Sequence, residues 1–251
     1  MRFISIADSL YDGALAILYP QACAVCGALV ESRFDGAACA VCWRETHVFS
    51  GDETLCWKCG AVLARQNSVT EEHRMAVRCH ACDEESFTAA RAVGEYEKAL
   101  RASVLALKKE PHVPARVARL LLAAQNRAPL NETTLIVPVP LHEKRRHERG
   151  FNQADGLART LAKQTGLRCD EKSLVRGTYT ALHRAGMDAR MRRESVREAF
   201  VVRRPRLIKG EKVLLIDDVF TTGATASACS IALKEAGADA VFVLTLARPV
   251  K

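Results

Sequence analysis

Lys212-Val-Leu-Leu-Ile-Asp217-Asp218-Val219-Phe220-Thr221-Thr222-Gly223-Ala224-Thr225-Ala226 is the stretch from which the rest of the chain can be read. Four consecutive apolar residues, Val213 to Ile216, predict a fully buried strand. Two adjacent carboxylates end it, and a turn of small hydroxyl residues around Gly223 follows. From Ala224 to Ala236 the pattern predicts a helix, with Gly237 placed to close its C-terminus. Strand, loop and helix N-terminus in that order make an anion site, because backbone N–H groups converge where the helix dipole is positive. Gly223 supplies the backbone freedom such a loop needs, and Thr221, Thr222 and Thr225 add hydroxyl donors. Phosphate alone does not require Asp217 and Asp218. Adjacent carboxylates suit a pair of vicinal hydroxyls, or a hydrated cation beside them, and a phosphate with a nearby diol is a ribose 5-phosphate. The competing reading is an ordinary strand-to-helix turn whose Asp pair is solvated.

This stretch resembles the phosphoribosyl-pyrophosphate signature of the type I phosphoribosyltransferases: a hydrophobic run, Asp-Asp, two residues, then Thr-Thr-Gly-x-Thr. Every fixed position is matched. The resemblance implies that Asp217, Asp218, Val219, Phe220, Thr221, Thr222, Gly223, Ala224 and Thr225 bind phosphoribosyl pyrophosphate with magnesium. In that reading Asp217 and Asp218 are the catalytic pair on the ribose hydroxyls, and Thr221 to Thr225 anchor the 5-phosphate.

Upstream, apolar and helical patterns alternate. Ala90–Tyr96 predicts a strand, Ala99–Lys109 and Ala115–Gln125 helices, Thr134–Val139 a buried strand, and Asn152–Gln164 a helix closed by Gly166. Ala199–Val202 and Ala240–Leu246 predict further strands. Such alternation implies an α/β domain with a parallel sheet and its ligands at the strand C-terminal ends. The boundary falls in residues 83–90, which gives a small Cys-rich domain over 1–88 and the α/β domain over 89–251.

The two parts differ in charge. Residues 1–88 carry 7 Lys/Arg against 12 Asp/Glu, and residues 89–251 carry 30 against 17. The basic part is suited to an anionic partner, a phosphorylated metabolite or nucleic acid. No apolar run approaches the roughly 20 residues of a membrane-spanning helix. The N-terminus (Phe3, Ile4, Ile6, Leu10, Leu15, Ile17, Leu18) is interrupted by Asp8 and Asp12 and lacks a cleavage site, so an amphipathic helix and a cytoplasmic location are expected.

Eight of the ten cysteines form four C-x2-C pairs: Cys23/Cys26, Cys39/Cys42, Cys56/Cys59 and Cys79/Cys82. Two residues between thiols let both sulfurs reach one ion, and two such knuckles complete an all-thiolate zinc site. Gaps of 12 and 19 residues fit two sequential zinc ribbons, and an interleaved pairing fits as well. A disulfide framework lacks a secretion signal, and four redox pairs lack a thioredoxin-like pattern. Two structural zinc ions are therefore expected, with loss of zinc unfolding residues 20–85 and sparing the α/β domain. Trp43 and Trp57, each beside a knuckle cysteine, read as covers for the metal sites. Cys169 and Cys229 read as small buried residues, and His80 as a substitute ligand at most.

A second anion site should accompany the first, since the ligand also carries a pyrophosphate. Val139-Pro140-Leu141-His142 follows a strand and leads into Lys144, Arg145, Arg146 and Arg149, ending Arg149-Gly150-Phe151-Asn152-Gln153. Arg forks suit phosphate oxygens; a solvated basic loop is the plain alternative. Cysteine pairs, Val-Pro-x-Pro-Leu, Arg-Gly-Phe-Asn-Gln and Asp-Asp-x-x-Thr-Thr-Gly-x-Thr, in that order, are similar to the ComF family, whose members join a double zinc ribbon to a phosphoribosyltransferase domain. The resemblance adds Pro140, Leu141, Arg145, Arg149 and Lys108 to the ligand site. It implies a role in natural transformation, with single-stranded DNA and DNA-uptake and recombination proteins as partners. One segment departs: Thr178 to Phe200 lacks the family's glutamine and has Ser195 where relatives carry asparagine, so no acceptor role is assigned to it.

Two functions remain open at this point. As an enzyme, the protein would displace pyrophosphate at the ribose anomeric carbon, as in a metabolic phosphoribosyltransferase with an unidentified small-molecule acceptor. As a nucleic-acid module, it would use residues 176–212, which hold 11 Lys/Arg against 4 Asp/Glu, to track phosphates. The competing reading of that run is a solvated helical face.

Overall fold

A computed structural model describes residues 20–64, 76–177 and 199–250. The expected N-terminal helix and most of the departing segment, including Arg190, Arg192, Arg193 and Arg197, lie outside them. In the cysteine-rich part, helix α1 (Ala40–Arg44) precedes the short antiparallel strands β1 (Thr54–Leu55) and β2 (Val62–Ala64). Then come β3 (Ala89–Glu95), α2 (Lys98–Leu107), α3 (Ala115–Gln125), β4 (Leu135–Pro138), α4 (Glu143–Arg149) and α5 (Gln153–Thr165). The chain continues through β5 (Arg168–Cys169), β6 (Leu174–Arg176), β7 (Phe200–Val202), β8 (Lys212–Val219), α6 (Ala224–Glu235) and β9 (Ala240–Arg248).

Strands β3-β9-β8-β4-β5 form one five-stranded sheet in that order, with every pair parallel. The expected quoted strand is therefore its centre, and it runs on through Asp217 and Asp218. Alternation along β8 decides what each face buries. Leu214 and Ile216 join Leu100, Val104, Leu121, Leu157 and Leu161 from α2, α3 and α5. Val213 and Leu215 join Cys229 and Leu233 of α6 and Phe200 of β7 on the other face. Each cysteine-rich unit belongs to one of these cores. Cys23, Cys39, Cys42 and Trp43 lie with the α2 side, whereas Cys56, Cys59, Cys82 and Phe87 lie with the α6 side.

Two expectations change in detail, and the boundary stretch gains partners. The basic run after β4 is a helix rather than a loop, started by His142, whose Nδ1 accepts from the Lys144 amide at 3.2 Å. Its seven residues bury nothing, so no apolar periodicity announces it. Strand β7 leaves the main sheet and pairs antiparallel with β6. The stretch 83–90, where the boundary between the two parts is expected, is bonded to α6 and β9. The Ser86 amide donates to Ser227 Oγ at 2.8 Å, and the Thr88 amide donates to the Val241 carbonyl at 2.7 Å.

Candidate functional site

The crevice for a ligand follows from the strand order. After β4 the chain crosses to β5 on one side, and after β8 it crosses to β9 on the other. The loops leaving β4 and β8 diverge, and open α/β sheets bind ligands at such a switch point. Pro138 pairs with Ile216, so Pro140 and Leu141 emerge beside Asp217 and Asp218. The two sequence motifs, some 65 residues apart, thus open into one crevice.

The strand pleat separates the carboxylates. Asp218 is buried on the α5 side, 3.2 Å from Lys108 Nζ, and it accepts from Gln153 Nε2 at 3.4 Å. Gln153 Oε1 in turn accepts from Arg149 Nη1. Lys108, Asp218, Gln153 and Arg149 therefore form one continuous contact chain. Asp217 faces the other way, into a cavity of about 30 Å³ lined with Phe220, Thr221, Gly223, Thr225 and Thr245. Its Oδ1 accepts from the Asp218 amide at 2.8 Å. Burial, reinforced by the Asp218 carboxylate, pushes the Asp217 carboxyl up to about 8, and Lys108 offsets this only in part.

The loop itself has the expected form. Gly223 precedes α6 with φ +86°, a conformation that penalises any side chain. Thr221, Thr222, Ala224 and Thr225 are exposed, while Val219 is half-buried and Phe220 buried. A Cβ on Gly223 would meet the Phe220 ring at 3.0 Å and the Glu85 carboxylate at 3.3 Å. Glu85 thus brings a negative group to the anion loop. On α4, Arg145 is exposed, Arg146 reaches Asp155 at 4.0 Å, and Arg149 is the member drawn into the contact chain. Asn152 fixes the corner between the β4 loop and α5, because its Nδ2 donates to the Val139 carbonyl at 3.0 Å and its Oδ1 accepts from the Ala154 amide at 3.3 Å.

The cysteines resolve into two groups in sequence order, Cys23/Cys26/Cys39/Cys42 and Cys56/Cys59/Cys79/Cys82, with all ligand atoms of each group within 4.8 Å of one another. Sulfur separations of 3.8 Å (Cys23–Cys42), 3.7 Å (Cys26–Cys39), 3.6 Å (Cys56–Cys82) and 3.5 Å (Cys59–Cys79) fit a tetrahedron. Zn–S bonds of about 2.3 Å require sulfurs about 3.8 Å apart. Both groups therefore fit zinc. Four thiolates fill a tetrahedral zinc, so these sites suit structural zinc rather than catalytic zinc. Knuckle amides also aim at sulfur: Cys39 N to Cys23 Sγ and Cys79 N to Cys56 Sγ, both at 3.3 Å. Burial raises Cys23 and Cys56, but backbone donors, Cys26 and Cys39 for the first and Cys59 and Cys79 for the second, bring both down to about 6. Burial and the neighbouring thiols push Cys42, Cys59 and Cys82 up, so the sulfurs of each group titrate as one set.

The neighbours sort accordingly. His80 is exposed and 4.0 Å from Asp83, outside the second group. Trp43 is buried, with Nε1 donating to the Asp35 carbonyl at 2.9 Å, and Trp57 lies under the Arg91 guanidinium at 5.0 Å. Cys229 is buried as expected, and Cys169 is half-buried. Of the basic run 176–212, Arg204 pairs with Asp170 at 2.6 Å and Lys212 with Glu132 at 2.8 Å, while Arg203, Arg206 and Lys209 are exposed. Sequence reading missed two site residues. Gln153 stood inside the Arg-Gly-Phe-Asn-Gln motif, but its partner Asp218 is distant in sequence, and Glu85 stood in what read as the domain boundary.

A double zinc ribbon domain model matches residues 14–83. The DNA utilization protein YhgH of Escherichia coli is 31% identical over 216 residues, which cover 84% of this chain and 89% of that protein. Competence protein F of Haemophilus influenzae is 35% identical over 117 residues, covering 45% of this chain and 49% of that one. Among solved structures, the glutamine phosphoribosylpyrophosphate amidotransferase of Bacillus subtilis aligns with a TM-score of 0.37 and 19% identity, over 58% of this chain and 26% of that one. At that level it adds nothing to the sheet order described above.

Proposed function

The chain belongs to the ComF family, and from that premise we propose that it binds phosphoribosyl pyrophosphate with magnesium in the β4–β8 crevice and serves the handling of single-stranded DNA during its uptake and use. One observation carries the ligand reading: the complete signature loop opens at the sheet's switch point, with Lys108 on Asp218 and Arg149 joined to it through Gln153. Thr221, Thr222 and Thr225, with the first amides of α6, receive the 5-phosphate. Asp217 and Asp218 accept from ribose hydroxyls, and Arg149 and Arg145 face the pyrophosphate. Magnesium, when bound, neutralises pyrophosphate charge. The DNA reading rests on relatives named for DNA utilization and competence, and on the basic balance of residues 89–251.

Calorimetry tests the ligand. Asp217→Ala with Asp218→Ala should abolish measurable binding of phosphoribosyl pyrophosphate, and unchanged affinity would mean that the signature is vestigial. Release of pyrophosphate in the presence of candidate acceptors would assign an enzyme, and its absence a ligand-responsive DNA-handling protein. For DNA, anisotropy of a labelled single strand should show log affinity falling with log salt by about 0.7 per phosphate contact. Replacing Arg190, Arg192, Arg193 and Arg197 with Ser should reduce that slope by roughly 3. An unaltered slope would exclude this segment as the DNA site.

A further inference from the structure

We propose that Arg248 and Phe87 position the signature loop from the second cysteine group, so that metal held there and phosphoribosyl pyrophosphate held at the loop strengthen each other's binding. The inference rests on the ligand reading above.

Phe220 is the common point. Its ring is buried inside the loop and lies 3.0 Å from where a Gly223 Cβ would stand, so the ring's position decides the shape of the turn. Two side chains hold that ring. Phe87 meets it edge-on, with centroids 5.7 Å apart and planes at 81°. The Arg248 guanidinium lies over it at 5.3 Å. The same guanidinium donates from Nη1 to the Cys59 carbonyl at 2.6 Å, so one side chain touches both the metal knuckle and the loop. The knuckle packs closely at this contact. Gly60 takes φ +68°, and a Cβ there would strike the Ala90 carbonyl oxygen at 2.6 Å and Arg248 Nη1 at 3.4 Å. Phe87 is delivered by the same unit. It follows Cys82 by five residues, with the Glu85 amide bonded to the Cys82 carbonyl at 3.1 Å and the Ser86 amide to Ser227 of α6.

The sign of the coupling follows from charge. A divalent ion on four thiolates carries two net negative charges, which hold a neighbouring guanidinium in place. Filling the second group therefore fixes Arg248, and through it Phe220 and the loop. The first group ties elsewhere: Thr46 Oγ1 accepts from the Ala99 amide at 3.1 Å, Glu45 pairs with Lys98 at 3.0 Å, and Asp35 pairs with Arg116 at 2.6 Å. Coupling between two binding sites is reciprocal, so a ligand that gains affinity from the metal must slow the metal's loss.

The full chain loaded with cobalt reports this through its thiolate-to-cobalt absorption. Release to a chelator should show two phases, and saturating phosphoribosyl pyrophosphate should slow one of them by about 5-fold or more. Arg248→Met should keep two metal ions by elemental analysis, lose the ligand's effect on that phase, and bind phosphoribosyl pyrophosphate about 5-fold or more weakly by calorimetry. Phe87→Leu, which keeps the apolar volume, should do the same in smaller degree and stands in if Arg248→Met does not fold. Ligand binding to the wild type with neither phase changed would overturn the coupling while leaving the ligand site standing. Wild-type affinity retained in a folded Arg248→Met protein would overturn it too. Failure of the wild type to bind phosphoribosyl pyrophosphate at all would remove the ligand reading and this inference together.

Discussion

Asp217 is kept in a state that costs stability as pH rises. Its carboxyl is raised from 3.8 to about 8, so the folded protein holds a proton that the unfolded chain gives up above pH 4 or so. The stability this proton contributes is complete below pH 3.8 and is lost progressively as pH rises to about 8. Asp217→Asn removes that dependence. Thermal melting from pH 5 to 9 should show the variant more stable than wild type at the alkaline end, by about 2–4 °C for each kcal/mol that the buried carboxylate costs, with the gap closing toward acid pH. Ligand binding should weaken in the same variant. A variant equal to wild type across this range would mean that Asp217 carries no such strain. The two aspartates were legible as a pair because they are adjacent in sequence. Their division between two faces was not, since it depends on β8 continuing as a strand through Val219 rather than ending at Ile216.

At the scale of elements, the long periodic segments were readable and the short polar ones were not. Helices α2, α3, α5 and α6 each carry an apolar face, and their limits fall within a residue or two of those expected. Helix α4 exposes every side chain except the partly covered Arg149, and β5 is two residues long, so neither leaves a hydrophobic signature. Residues 83–90 read as a boundary, and their ties were not legible, because Ser86, Phe87 and Thr88 are held by partners far away in sequence. The contact of that stretch with the loop has a consequence at Glu85. In the proposed function the loop receives a phosphate, which a carboxylate beside it repels. Glu85→Gln should therefore tighten binding of phosphoribosyl pyrophosphate by about 3- to 10-fold at low salt, an effect that shrinks as salt screens it. Calorimetry at two ionic strengths checks this, and weaker binding in the variant would show instead that Glu85 supports the loop.

For the whole molecule, the sequence by itself leads one to expect metal loss to melt residues 20–85 alone. Two cores that each take in one cysteine group lead to a different outcome. Removing zinc withdraws support from both faces of one sheet, so chelator should lower the melting temperature of the entire chain in a single transition. Calorimetric scans with and without chelator check this, together with elemental analysis giving two zinc ions per chain before treatment. A surviving high-temperature transition would restore the picture of an independent α/β domain.

The position of β9 has a consequence for the order in which the protein can be made. In the main sheet β3 is bonded to β9 alone, across residues 89–95 and 240–248. The second cysteine group waits on the same strand, since Cys59 and Arg248 are 189 residues apart. A ribosome must therefore make Ala240–Arg248 before β3 gains its neighbour within the main sheet, with only the 47–49 segment and Lys58 bonded to it until then among the described residues. Until then the cysteine-rich unit and its apolar surroundings stand open, exposed to aggregation in the growing chain. A chain that stops before Arg248 lacks the side chain on which the Cys59 knuckle closes.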